Sequence, residues 1–83
     1  MVHAYTLIKN NLSIGSSGPD VAELQRELQD TGFLTMPEGV AMGYFGPLTK
    51  SAVIKFQIAR GIKPAVGYFG PITRAELSTF GLI

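Results

Sequence analysis

Groups that could perform catalysis are scarce in this sequence, which has 83 residues, one histidine and no cysteine. His3 lies alone near the N-terminus, so the residues suggest neither a Ser–His–Asp nor a Cys–His set and no metal site. A glycosidase would need two carboxylates across a cleft, one of them with a raised pKa. The acids follow one predicted helix with Arg26 among them, which is typical of a solvated surface: Asp20, Glu23, Glu27 and Asp30. The sequence therefore predicts that this chain is not an enzyme and uses no cofactor.

One phrase of eight residues occurs twice, as GYFGPLTK at residues 43–50 and as GYFGPITR at residues 67–74. We call these segments the first corner and the second corner. In each, a glycine followed by a proline is typical of a helix N-cap and first helical position, and the threonine can hydrogen-bond back to the cap. The phenylalanine is expected to anchor the corner in the core, and the tyrosine before it to point the other way. The phrase can therefore be a folding device alone, or its tyrosines and open helix N-termini can form a binding surface.

The second of these alternatives defines a candidate ligand-binding surface. Helix N-termini favour carboxylates, so such a surface would suit an acidic peptide or an amide-rich sugar. Each tyrosine could equally be a half-buried core ring, and Gln57, like Gln25, could simply satisfy loop backbone groups. Lys50 and Arg74 could pair with ligand carboxylates or contact only solvent. The predicted ligand contacts are Tyr44, Gly46, Thr49, Gln57, Tyr68, Gly70 and Thr73.

Three helices are predicted to position this surface. Proline and glycine residues delimit them at 19–31, 47–60 and 71–80, and apolar side chains recur at helical spacing along each one. Leu48 and Ile72 belong to these apolar sets and are expected to face inward. Leu12 and Ile14 alternate with polar residues, as in a short extended segment pinned to the core. The predicted fold is all-α: a compact three-helix domain with a short extended N-terminal segment and an internal loop–helix repeat.

Composition indicates one small domain and excludes several classes of function. With 46% apolar and 16% charged residues the chain can bury a core, and residues 12–83 are assigned to that domain. Residues 1–11 are interpreted as an N-terminal extension or as residues introduced by cloning. The basic side chains are scattered and the net charge is +1, so nucleic-acid binding is not expected. No apolar run approaches the ~20 residues of a membrane span, and the N-terminus lacks a signal-peptide pattern.

Nearly the whole chain, about residues 12–81, resembles the peptidoglycan-binding domain of type 1, a small three-helix module often attached to cell-wall hydrolases. The resemblance rests on IGSSGPDVAELQRELQDTGFL, GYFGPLTKSAVIKFQIARGI and GYFGPITRAEL, in that order. The positions that match the family pattern are Gly15, Gly18, Asp20, Val21, Leu24, Gln25, Leu28, Gly32, Gly43, Phe45, Gly46, Thr49, Ala52, Val53, Phe56, Gln57, Gly61, Gly67, Gly70, Thr73 and Leu77. Most of these determine the fold, so the resemblance does not transfer ligand contacts. The chain departs from the family pattern in the loop at 35–42 and in the near-identity of its two corners.

The resemblance implies non-catalytic binding of bacterial cell-wall peptidoglycan, through its stem peptide, its glycan or both. It also implies targeting of an attached or associated enzyme or envelope protein, so that the partner would be a fused cell-wall hydrolase or envelope domain. The expected location is extracellular or in the cell envelope, as part of a longer secreted protein. Related modules occur in metalloprotease pro-segments, so the fold alone does not secure the ligand. The alternative is a protein–protein interaction or structural module of an envelope protein that docks on a neighbouring domain.

Overall fold

Three α-helices form the regular structure in the computed structural model, which describes residues 8–40 and 42–81. They are α1 (Pro19–Asp30), α2 (Pro47–Ala59) and α3 (Pro71–Gly81). The predicted all-α, three-helix fold is confirmed. The first two helices end one residue earlier than predicted, because Thr31 and Arg60 leave the helical conformation as C-caps, and α3 runs one residue further. None of these described helices is long and apolar enough to cross a membrane.

One apolar core lies among the helices and the two corners. Phe45 and Phe69 are completely buried in it, as predicted for the corner anchors. Phe33 meets Phe56 of α2 edge to face, with the ring centroids 5.4 Å apart, an arrangement that the quadrupoles of aromatic rings favour. The buried apolar residues are Ile8, Leu12, Val21, Leu24, Leu28, Leu34, Phe45, Ala52, Val53, Phe56, Phe69 and Leu77.

Two members of the predicted apolar faces lie outside this core. Leu48 is 49% exposed and Ile72 is 70% exposed, so the prediction that they face inward is wrong. Each lies directly after the proline that begins its helix, in the first helical turn. Helical periodicity predicts which face of a helix a residue lies on. It does not predict how far the core extends along that helix.

The N-terminal segment is extended and pairs with both corners, which confirms the predicted extended segment. Leu12 and Phe69 form an antiparallel bridge, in which the Leu12 amide donates to Phe69 over 2.9 Å and the Phe69 amide donates to Leu12 over 2.8 Å. Ser17 lies opposite Tyr44 in a second antiparallel bridge, whose hydrogen bonds come from the flanking residues: the Gly18 amide donates to the Gly43 carbonyl oxygen over 2.9 Å, and the Phe45 amide donates to the Ser16 carbonyl oxygen over 2.8 Å. Packing begins upstream of the predicted boundary at residue 12, because Ile8 is buried in the core.

The acidic side of α1 differs from the predicted solvated surface. Glu23 and Glu27 are only 6% and 4% exposed, because the buried face of α1 is wider than its apolar stripe and includes both carboxylates and Gln25. Burial raises the pKa of Glu27 to about 8, and a hydrogen bond from the protonated Glu27 to Glu23 and the negative charges of Glu23 and Asp30 add to the shift. The Arg26 guanidinium lies 3.3 Å from the Glu23 carboxylate and opposes the shift. The prediction that all four acids form a solvated face is therefore wrong for Glu23 and Glu27.

Candidate functional site

The first corner is held by one buried glutamine of α1. The Gln25 side-chain amide donates to the Tyr44 carbonyl oxygen over 2.8 Å and to the Thr49 hydroxyl oxygen over 2.9 Å. Its oxygen accepts a hydrogen bond from the Gly43 amide over 2.7 Å. Three bonds from a single side chain therefore fix the start, the tyrosine and the first helical turn of this corner.

The second corner repeats this arrangement with a glutamine of α2. The Gln57 amide donates to the Tyr68 carbonyl oxygen over 2.9 Å and to the Thr73 hydroxyl oxygen over 3.1 Å, and its oxygen accepts from the Gly67 amide over 2.9 Å. Each helix thus holds the corner that begins the next helix. The structural alternative for the two glutamines is confirmed, and the threonine hydroxyls accept bonds from these amides in place of the expected contact with the caps.

The loop that leads into each corner has a different length. Because α1 ends at Asp30 and α2 at Ala59, residues 31–42 lead into the first corner and residues 60–66 into the second, so the first loop is five residues longer. The residue separation between glutamine and glycine is 18 in the first corner and 10 in the second. Gly43 and Gly67 have φ of 108° and 83°, in the region that only glycine enters at little cost. A Cβ atom on Gly67 would also lie 2.6 Å from the Lys50 side chain. The backbone at Gly67 therefore packs closely against the first turn of α2.

The two tyrosines point away from the core, as predicted. Tyr44 is 57% exposed and Tyr68 is 46% exposed. Each ring lies over the glycine two residues later in its own corner. A Cβ atom on Gly46 would be 3.3 Å from the Tyr44 ring, and one on Gly70 would be 2.5 Å from the Tyr68 ring. These glycines therefore give the rings a flat surface to rest on, which fixes their orientation.

Exposed apolar side chains accompany each tyrosine at equivalent positions. The first apolar triplet consists of Met42, Tyr44 and Leu48, and the second apolar triplet consists of Val66, Tyr68 and Ile72. Each residue of the second triplet follows its counterpart by 24 positions. The repeat therefore builds two small apolar surfaces of similar chemistry, both outside the core.

An open pocket of about 150 Å³ lies beside the second corner. It contains four of the seven predicted contacts, namely Gln57, Tyr68, Gly70 and Thr73, while Tyr44, Gly46 and Thr49 belong to the first corner. Its lining consists of Gln57, Ile62, Lys63, Pro64, Val66, Tyr68, Gly70, Pro71, Ile72 and Thr73. The structure thus gathers the second half of the predicted set around one concave feature.

Burial separates the predicted contacts into two groups. The polar atoms of Thr49, Gln57 and Thr73 are engaged in the two glutamine networks, and these side chains are buried. Tyr44 and Tyr68 are exposed and can meet a ligand directly. The glycines at 46 and 70 support the tyrosine rings. We therefore expect the buried residues to act by positioning the tyrosines, and contact with a ligand stays a prediction for all seven.

The two basic residues that end the repeated phrase have different surroundings. The Arg74 guanidinium donates to the Lys9 carbonyl oxygen over 3.2 Å and to the Asn11 side-chain oxygen over 2.6 Å. Arg74 thus ties α3 to the N-terminal segment. Lys50 is exposed, and its aliphatic chain packs close to Gly67.

Sequence reasoning missed the apolar wall of the pocket. Ile62, Pro64 and Val66 come from the connection between α2 and the second corner, and Ile72 was assigned to the core. The repeat could have indicated part of this wall, because an aliphatic residue follows the proline in both corners and neither residue belongs to the core.

The comparison with known proteins agrees with this architecture. Residues 17–77 match the family described as "Putative peptidoglycan binding domain". The crystal structure of the SleB N-terminal domain is similar, with 33% identity, a TM-score of 0.77, and 94% of this chain and 99% of that chain covered. The L,D-transpeptidase (residues 123–326) from Xylanimonas cellulosilytica DSM 15894 is similar with 35% identity and a TM-score of 0.71, over 86% of this chain and 33% of that one. No curated protein matches the chain.

The fold and the family match thus define a small peptidoglycan-binding module. The chain belongs to the peptidoglycan-binding domain family, since the family match spans most of its length. The resemblance expected from the sequence is confirmed.

Proposed function

We propose that this chain binds bacterial peptidoglycan non-covalently through its two corners, and that it holds an attached or associated enzyme or envelope protein on the cell wall. The observation that carries the proposal is the pair of exposed apolar triplets, each held in place by a buried glutamine of the preceding helix. These side chains are exposed and add nothing to the core, so they are available for binding. Membership of the family supports peptidoglycan as the ligand. The module itself contributes binding and no catalysis.

Targeting is supported by the size of one similar protein. This chain corresponds to 33% of the L,D-transpeptidase chain that it resembles, so the same fold occurs there beside a larger remainder. By analogy, the present chain would be one part of a longer secreted protein, placed outside the cell or in its envelope. The partner would be a domain that acts on, or is anchored to, the wall.

A pelleting assay with purified insoluble peptidoglycan tests the binding proposal. The wild-type chain is expected to sediment with the wall fraction at moderate salt. The double variant Tyr44→Ala/Tyr68→Ala is expected to stay largely in the supernatant, because it removes the two exposed rings. Ile58→Ala is the matched control, since Ile58 is an exposed apolar residue of α2 outside both triplets. A double variant that sediments like the wild type, with unchanged thermal unfolding, would place the site elsewhere.

The exposed apolar triplets also favour a second candidate function, docking on a neighbouring domain of the same protein. The two candidates differ in a simple measurement. If the isolated chain fails to sediment with peptidoglycan but binds a separately expressed neighbouring domain, docking is the function. Wall binding by the isolated chain favours the first proposal.

A further inference from the structure

The pocket beside the second corner is concave, and most of its lining is apolar. Its walls are Ile62, Pro64, Val66 and Ile72 with the ring of Tyr68. Ile72 and Val66 are more than half exposed at the mouth. A ligand group that enters this pocket would therefore remove apolar surface from water on several sides at once, which is favourable.

The volume of the pocket favours one of the two parts of peptidoglycan. A cavity of about 150 Å³ holds one benzene-sized molecule, with about six carbon atoms. A sugar unit with its substituents is larger and carries several hydroxyl groups. One short apolar side chain of a peptide matches the available space.

The polar groups of the pocket point the same way. The side-chain polar atoms of Gln57 and Thr73 form hydrogen bonds with each other, and Gln57 also bonds to the backbone of the second corner. Every buried side-chain nitrogen and oxygen that the structure describes has a hydrogen-bond partner, so none of them waits for a sugar hydroxyl. Lys63 is the only charged residue among those that line the pocket, in the part of the chain described. An ammonium group at an apolar pocket complements a carboxylate close to an apolar group.

We propose that the second-corner pocket binds the peptide part of peptidoglycan: one small apolar side chain enters between Val66, Tyr68 and Ile72, and a nearby peptide carboxylate pairs with Lys63. The inference deepens the proposed function and rests on it. It assigns different tasks to the corners, because the pocket supplies specificity for a peptide terminus and the first apolar triplet adds contact area.

Titration of the isotope-labelled chain with small probes, followed by NMR, tests this assignment. The probes are N-acetyl-alanyl-alanine in its D,D and L,L forms, the corresponding C-terminal amides, and chitobiose. At least one dipeptide acid is expected to shift the backbone amides of Gly67, Tyr68 and Ile72. Its amide is expected to bind about two- to fivefold more weakly, the range of an exposed ion pair.

Substitution of the lysine makes the test specific. In Lys63→Gln the acid is expected to lose the same two- to fivefold in affinity, so that acid and amide bind equally. Lys55→Gln is the matched control, since Lys55 is exposed on α2 and does not line the pocket; it should keep the preference for the acid. An unchanged acid preference in Lys63→Gln overturns the assignment of the lysine, and with it the proposal.

The failure of this inference and the failure of the proposed function are distinguishable. If chitobiose shifts the pocket amides and the dipeptides do not, the pocket binds glycan and the inference is wrong, while wall sedimentation stands. If Leu48→Ser weakens sedimentation and Ile72→Ser does not, the binding site is at the first corner and the inference is again wrong. Loss of sedimentation by the wild-type chain itself would overturn the proposed function.

Discussion

The two corners are identical at six of their eight positions, yet they differ in what surrounds them. Both use a buried glutamine, a glycine turn, an outward tyrosine and a buried phenylalanine. The connection into the second corner is five residues shorter than the connection into the first, and its residues Ile62, Pro64 and Val66 line a pocket. The comparison indicates that the repeated phrase determines the backbone, while the variable connection determines what the corner can bind.

Substitution of the two buried glutamines should have the largest effect on stability and tests whether the corners are equivalent. Gln25→Ala and Gln57→Ala each remove three hydrogen bonds and leave buried partners unpaired, so each should lower the free energy of unfolding by about 2–4 kcal/mol. For a domain of this size the melting temperature should fall by roughly 10 °C or more. Calorimetry and urea unfolding measure both quantities.

The control for the glutamines is Gln29→Ala, which removes an exposed glutamine from the same helix as Gln25 and should change stability by no more than about 0.5 kcal/mol. If the corners are equivalent as folding units, the two buried variants should agree within about 1 kcal/mol. A loss well below 1 kcal/mol in either variant would mean that its corner does not depend on the glutamine.

The carboxylate pair of α1 adds a pH dependence to the helix that holds the first corner. The folded chain binds the Glu27 proton more tightly than the unfolded chain, because the pKa rises from 4.5 to about 8. The resulting stabilisation is complete below about pH 4.5 and is lost as the pH rises through about 8. Relative to wild type, Glu27→Gln should therefore gain about 3 kcal/mol in unfolding free energy between pH 5.5 and pH 8.5.

Urea unfolding of the wild type and of Glu27→Gln across this pH range makes that measurement. Glu38→Gln removes a carboxylate from an exposed loop and serves as the control, which should follow the wild type. A constant difference between Glu27→Gln and wild type at all pH values would show that Glu27 does not hold its proton in the folded state.

The sequence alone predicts the backbone of both corners well, and their surroundings less well. Glycine–proline pairs and helical periodicity are local signals, so they give the three helices to within one residue at each end. The burial of Glu23 and the exposure of Ile72 depend on how far the core extends around each helix, which no local pattern records. The pocket wall comes from a connection without a recognisable motif, and for that reason only the tyrosine, glycine and glutamine side of the site could be predicted.

The glycines under the two tyrosine rings should show a smaller difference in stability between the corners. Gly46→Ala and Gly70→Ala should weaken the helix caps by similar amounts, but only the second places a Cβ atom 2.5 Å from a tyrosine ring, against 3.3 Å in the first corner. Gly70→Ala should therefore cost about 0.5–1 kcal/mol more than Gly46→Ala, because the half-exposed Tyr68 ring must turn away from its present position. Proton NMR of the tyrosine rings should show a clearly displaced Tyr68 in Gly70→Ala and a much smaller shift of Tyr44 in Gly46→Ala. Equal costs and unshifted rings would contradict the supporting role of the glycines.

The smallest expected difference concerns the basic residues that end each corner. Arg74→Gln removes two hydrogen bonds to Lys9 and Asn11 of the N-terminal segment and should cost about 0.5–1.5 kcal/mol. Lys50→Gln removes an exposed charge at the equivalent position and should stay within about 0.5 kcal/mol of the wild type. Amide exchange at Leu12, whose backbone pairs with Phe69, should accelerate in Arg74→Gln and not in Lys50→Gln. Because this backbone bridge and Arg74 both join the second corner to the N-terminal segment, faster exchange at Leu12 would show that the side chain reinforces the bridge. Unchanged exchange would assign the attachment to the backbone alone.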